Sequence, residues 1–258
     1  MNYPIILTSP HSGNFYPNFY LENLLTSIDK CRSIEDMYVD EFIQDFSTQG
    51  IKVLTSKYSR SVVDLNRKET EIDKSLIHGL NTNCEITNKV KLGIGLIPTQ
   101  TPRGKIFFKE KFSLSNFNFL INEIYLNWHR NLKLALNKKH ETHNKIFLFD
   151  CHSMPSENDG SGLADIVLGN LNGKSCREEN LVFVSDAFKK MGYSVSLNDP
   201  YAGGFITMKY HNLNLGIETL QIELNRSIYM DEDKFEKKEC FESVKKDFED
   251  VIKEFQNY

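Results

Sequence analysis

The sequence predicts an α/β fold, a mixed and mainly parallel central sheet with helices on both faces. Three observations carry that expectation. Short branched or apolar runs alternate with longer amphipathic stretches, as in strand-helix-strand units. No stretch of the 258 residues looks like a linker, glycine and proline being sparse at 14 and 7. Two of the apolar runs end in small polar segments that carry a histidine, the place where α/β folds expose side chains for chemistry.

In chain order, strands are expected near residues 4–9, 51–55, 61–65, 145–150, 165–169, 194–197 and 218–224, each a short branched or apolar run. A helix is expected over 33–47, opened by Ser33 with Glu35 and Asp36 in its first turn and with Met37, Phe42, Ile43 and Phe46 on one face. Further helices are expected over 114–138, 175–191 and 234–255. With hydrophobic residues at 40%, residues 1–258 suffice for one large domain with a full core.

Charge and cysteine usage exclude several classes. A formal net charge of -4 gives no general attraction to nucleic acid or an anionic membrane, so an anionic ligand must be held by a few local arginines. Five scattered cysteines without a C-x-x-C pair suggest neither a disulfide framework nor a cysteine-zinc cluster. A reduced, cytoplasmic protein is expected, with no secretion signal and no run of about 18 apolar residues for a membrane span.

His11, in Ser9-Pro10-His11-Ser12-Gly13, and His152, in Asp150-Cys151-His152-Ser153, each follow a strand-like run and read as two halves of one metal site. A hydrolytic zinc site needs about three protein ligands, an open position and a nearby carboxylate base. Glu35 or Asp36 would supply the third ligand. Glu223, in the alternating strand 219–224, is a candidate general base, its alternative an ion pair with Arg226 or Arg67. Arg67 with Asn66 suits the grip on a substrate carboxylate and Arg60 suits a developing oxyanion, the alternative for each arginine being a salt bridge to Asp64 or Glu69. The glycines of the 198–207 loop, Gly203 and Gly204, allow close backbone approach to a ligand, with Tyr201 beside them as a hydroxyl contact. Cys151 and His152 are adjacent along a strand end and so face opposite ways, which argues against a thiol dyad. His129 is expected to pack on the long helix, His78, His140 and His143 lack ligand spacing, and His211 follows the glycine loop.

These segments, in this order along nearly the whole chain, resemble the N-formylglutamate amidohydrolases, a family similar to zinc carboxypeptidases and aspartoacylases. The carriers are 9–13, 59–67, 150–153, 203–207 and 221–224. The resemblance implies one zinc ion on His11, an acidic residue and His152, with Glu223 as the catalytic carboxylate and Asn66 with Arg67 on the substrate. Carboxypeptidase-like sites usually carry glutamate three residues after the first histidine, where this chain has Asn14, so the acid comes from elsewhere. The family pattern maps it onto Asp36, with Glu35 as the competing neighbour.

The function expected is zinc-dependent hydrolysis of N-formyl-L-glutamate to formate and L-glutamate, a step the resemblance connects to histidine catabolism. Two alternatives are a related zinc amidase acting on another N-acyl amino acid or small peptide, and a metal-free module that binds small carboxylates. The partner in the enzyme readings is a small N-acyl amino acid, with no nucleic acid and no membrane. Oligomeric state is left open by these residues.

Overall fold

The computed structural model describes residues 4–156 and 162–258. Its strands are β1 (Ile5–Ser9), β2 (Lys52–Thr55), β3 (Gln100–Thr101), β4 (Gly104–Lys105), β5 (Ile146–Met154), β6 (Ile166–Gly169), β7 (Val195–Leu197), β8 (Ile217–Asn225), β9 (Met230–Asp231) and β10 (Glu236–Lys237). Six of them form the main sheet in the order β2-β1-β5-β8-β6-β7. β1, β5 and β8 run parallel, β6 runs against β8, and β7 follows β6, which makes the sheet mixed and mainly parallel. No helix among the described residues is long and apolar enough to cross a membrane.

The chain divides into two compact units. The first comprises Met1–Ser9, Asp36–Leu54 and Lys133–Tyr258 and contains the main sheet. Side chains alternate across its strands, so one face carries Leu7, Phe147, Phe149, Cys151, Leu220, Ile222 and Leu224 into a continuous apolar core. The helices Glu178–Lys190 and Phe241–Asn257 cover that face with Val184, Phe188, Phe248 and Phe255. Phe255 lies with its ring centroid 4.4 Å from Phe147 and 5.2 Å from Phe149. Burial of each such ring stabilises the fold by about 2–3 kcal/mol, the main local source of stability.

The second unit comprises Pro10–Glu35 and Thr55–Leu132. Its apolar centre includes Tyr20, Phe108 and Phe112, with Phe108 and Phe112 edge to face at 4.8 Å. Gly13 lets the segment after Pro10 lie against 57–59, since a Cβ there would stand 2.6 Å from the Lys57 carbonyl oxygen. Phe15 and Ser59 then bond backbone to backbone, Phe15 N–H to Lys57 and Ser59 N–H to Phe15, at 3.1 Å each.

Several elements differ from the sequence expectation, among them the last helix, expected from 234 but starting at Phe241 after β10. Residues 61–65 form turns rather than a strand, because Val62 and Val63 N–H both bond to the Ser59 carbonyl and the Asp64 carboxylate accepts from Asn66 N–H. β5 continues to Met154, so His152 lies within the strand; its polar stretch stays extended because it pairs with β8 as far as Asn225. The helix expected over 33–47 is broken into Ile28–Arg32, Val39–Ile43 and a 3₁₀ turn at Gln44–Gln49, with Tyr38 left-handed at φ 67° between the first two. The long helix contains a π turn at Leu120–Tyr125 before Leu126–His140.

Phe149→Ala removes a ring from a densely packed core and is expected to cost about 3–5 kcal/mol. Denaturant unfolding should show a lower midpoint with an unchanged slope.

Candidate metal centre

The face of the sheet opposite the apolar core is polar where it meets the chemistry. Thr8, Asp150 and His152 lie on it, with Gln221 and Glu223 beside them, as the register Thr8↔Asp150, Asp150↔Gln221 and His152↔Glu223 requires. All five are buried. Thr8 Oγ1 donates to Asp150 Oδ1 at 2.8 Å, and Gln221 Nε2 donates to Glu223 Oε1 at 2.7 Å.

His152 is fixed through both ring nitrogens. Nδ1 lies 2.9 Å from Asp36 Oδ2 and Nε2 lies 3.1 Å from Asp150 Oδ2. Burial by itself would lower its pKa. The charge and hydrogen bond of Asp150, the hydrogen bond to Asp36 and the charge of Glu223 outweigh burial, so the imidazole is held well above the ordinary histidine value. A site that presses positive charge onto a buried histidine with three carboxylates also favours a cation in its place. Arg226 steadies the acidic side, donating from Nη2 to Asp36 Oδ1 at 3.4 Å and from Nε to Ser153 Oγ at 3.1 Å.

His11 follows β1 by two residues, and its Nε2 lies 2.7 Å from Asp64 Oδ1. Asp64 is 1% exposed and also accepts from Arg60, at 2.8 Å from Nη2 and 3.3 Å from Nε, while Arg67 Nη2 stands at 3.9 Å. Burial pushes the Asp64 carboxyl up, but Arg60, Arg67 and His11 together hold it well below the usual carboxylate range. Arg67 is anchored by Nε on the Ile94 carbonyl at 2.7 Å and Nη1 on the Asn66 carbonyl at 2.9 Å. The long helical stretch fixes the same segment, with Tyr125 Oη donating to the Arg67 carbonyl at 2.8 Å and His129 Nε2 3.0 Å from the Leu65 carbonyl.

His11, Asp36 and His152, all buried, each offer one ligand atom, and these atoms lie within 4.8 Å of one another. They form a possible metal-binding triad. Two imidazoles and a carboxylate suit a borderline divalent cation. Each histidine also keeps a second carboxylate at its ring, Asp64 for His11 and Asp150 for His152, the arrangement by which metal-ligating imidazoles are oriented. Glu35 has other partners: Tyr16 Oη donates to its Oε1 at 2.5 Å and Arg32 Nε stands 3.6 Å from its Oε2.

The remaining sequence candidates lie outside the triad. Tyr201 is exposed, Gly203 has a left-handed φ of 133° and Gly204 caps the helix Phe205–Tyr210. A Cβ on Gly203 would stand 2.8 Å from Leu171 Cδ2, so the glycine serves chain packing there. Cys151 faces the apolar core, where burial pushes its thiol well up, and His211 Nδ1 lies 3.0 Å from the Thr207 carbonyl. Three residues that contact the triad's side chains escaped selection by sequence: Asp64, considered only as a salt-bridge partner, Arg226, considered only as a partner for Glu223, and Asp150. Asp150 carries the signal that singled out Glu223, an acid inside an apolar strand.

The fold and this donor set define an α/β protein with a possible metal-binding triad, and comparison with known proteins gives it a family. The N-formylglutamate amidohydrolase family model matches residues 3–230, and the chain belongs to that family of hydrolases. It is 30% identical to the N-formylglutamate deformylase of Pseudomonas putida over 240 residues, covering 89% of this chain and 82% of that protein. It is 28% identical to the N-formylglutamate deformylase of Pseudomonas aeruginosa over 240 residues, 89% of this chain and 83% of the other. A crystal structure of N-formylglutamate amidohydrolase from Ralstonia eutropha JMP134 superposes with a TM-score of 0.91 at 27% identity, over 99% of this chain and 94% of that one. A gene product of Agrobacterium tumefaciens shares the fold at a TM-score of 0.68 and 14% identity, over 97% of this chain and 90% of that one.

Asp64→Asn leaves two arginines without the charge they surround. The expected loss is about 3 kcal/mol of stability, read as a drop in the urea midpoint with a folded far-UV spectrum retained below the transition.

Proposed function

We propose that the protein hydrolyses N-formyl-L-glutamate to formate and L-glutamate, using one zinc ion held by His11, Asp36 and His152. The observation that carries the reading is the buried triad of two histidines and an aspartate in a chain of this family. The reading treats residues 1–258 as one amidohydrolase-like domain, supported by a family match over 3–230. It also assigns the protein to the cytoplasm, on the strength of five free cysteines.

When bound, such an ion supplies Lewis acidity and makes water a competent nucleophile near neutral pH. Glu223 takes the proton from the attacking water and delivers it to the departing amino nitrogen, its carboxylate oriented by Gln221. Arg60, already fixed by two bonds to Asp64, donates to the oxyanion that develops on the formyl oxygen. Arg67 and Asn66 hold a substrate carboxylate, with Arg67 pre-positioned by the Ile94 carbonyl. Tyr201, Gly203 and Gly204 are the remaining candidates for substrate contact. The step balances as water plus amide giving carboxylic acid plus amine, with the proton carried by Glu223.

Metal analysis and a chelator titration test the first half of this reading. About one zinc per chain is expected, with activity lost on removal and restored by added zinc. Protein that carries no metal and gains none, yet binds glutamate, would instead be a carboxylate-binding module. Turnover of acetyl or peptide substrates without formylglutamate would move the activity to another amidase class.

Glu223→Gln should lower kcat by about 10²–10⁴ with zinc content unchanged. Asp150→Asn should keep the protein folded and weaken metal retention by about 10–100-fold in competition with a chelator. Arg67→Met is expected to raise KM and lower kcat together, because the grip both binds and aligns the amide.

A further inference from the structure

Within the first unit, the carboxylate that stands behind His152 is itself held from the neighbouring strand. β1 and β5 pair in parallel with Thr8 beside Asp150. Leu7 turns into the apolar core, so the alternation of the strand sends Thr8 to the polar face together with Asp150. Adjacent strands stand about 4.8 Å apart, a gap that a hydroxyl on one Cβ and a carboxylate on the other close between them. Thr8 Oγ1 donates to Asp150 Oδ1 at 2.8 Å, and both residues are 0% exposed. The Phe149 carbonyl, at 3.3 Å, is the second acceptor near that hydroxyl. Its one proton goes to the nearer, charged oxygen.

The two oxygens of Asp150 therefore have separate neighbours. Among the described residues Thr8 is the donor to Oδ1, while Oδ2 faces His152 Nε2 at 3.1 Å and has no other donor. The torsion that turns an aspartate carboxylate is broad and roughly two-fold, so a single contact at one oxygen does not fix it. A donor at the other oxygen does. Threonine suits this part because branching at Cβ makes its χ1 stiff, and a serine or a longer polar side chain would hold the hydroxyl less firmly.

We propose that Thr8 is a positioning residue for the metal centre: by fixing Asp150 Oδ1 it aims Oδ2 at His152 Nε2, and so holds the imidazole with Nδ1 toward Asp36. The proposal rests on the reading of His11, Asp36 and His152 as metal ligands. Thr8 makes no hydrogen bond to the triad among the described residues, and its effect passes through Asp150 to the orientation of His152. A hydroxyl placed there merely to satisfy its own burial would change stability and leave metal affinity alone.

Zinc competition between the metal-free full chain and a chromophoric chelator tests it. Thr8→Val keeps the branched shape and removes the donor, and should bind zinc about tenfold more weakly than wild type. Thr8→Ala carries the same expectation should valine disturb the packing. Thr8→Ser, which keeps the hydroxyl, should stay within about threefold of wild type. In an Asp150→Ala background Thr8→Val should add less than about twofold, because the residue acts through that carboxylate. Wild-type affinity in a folded hydroxyl-free variant, failure of both such variants to fold, or a tenfold loss that persists in Asp150→Ala would overturn the assignment while leaving the metal triad standing. If wild type binds no zinc, the reading of the triad fails and this one fails with it.

Discussion

The burial of His152 among three carboxylates is the interaction on which the rest of the centre depends. It is possible only because β5 is a central strand. With β1 and β8 hydrogen-bonded along its two edges, its backbone is satisfied, and its side chains are free to differ completely between faces. Phe147, Phe149 and Cys151 go to the apolar core, while Asp150 and His152 go to the other side. A one-residue slip in register would send the carboxylate and imidazole into the phenylalanine cluster, so the core protects the geometry of the site.

Electrostatic balance explains why the acidic residues come in pairs with fixed partners. Asp36 answers to His152 and Arg226, and Asp64 answers to His11, Arg60 and Arg67. A buried carboxylate without such partners would take up a proton and cease to bind a cation. The same pairs orient the two imidazoles, because one ring nitrogen of each is committed to an aspartate, Asp64 for His11 and Asp150 for His152. Arg60 and Arg67 are therefore part of the scaffold around Asp64.

Much of the centre was legible because polar residues interrupt apolar runs. His11, His152 and Glu223 all stand out in that way, and the strands that carry them follow from simple branched and apolar runs. Other elements were hidden by local competition. The run at 61–65 has the composition of a strand, yet the Ser59 carbonyl takes the Val62 and Val63 N–H groups and the Asp64 carboxylate takes that of Asn66, and turns win. The polar end of β5 reads as a turn until the pairing with β8 is known. Residue patterning alone does not separate Glu35 from Asp36, since neighbours one residue apart point in directions that only the backbone sets; the family resemblance is what favours Asp36.

By itself, the sequence determined the fold class and the residue types at the centre, because periodicity and misplaced polarity are properties of a linear chain. The tertiary structure decided which carboxylates stand behind the histidines and that Arg226 reaches Asp36. The physical reason is that the His11–Asp64, Asp36–His152 and Asp36–Arg226 pairings span 53, 116 and 190 positions of chain. Contacts at such separations are set by strand register and by the break of the helix around Tyr38, and leave no local trace in the pattern of residues.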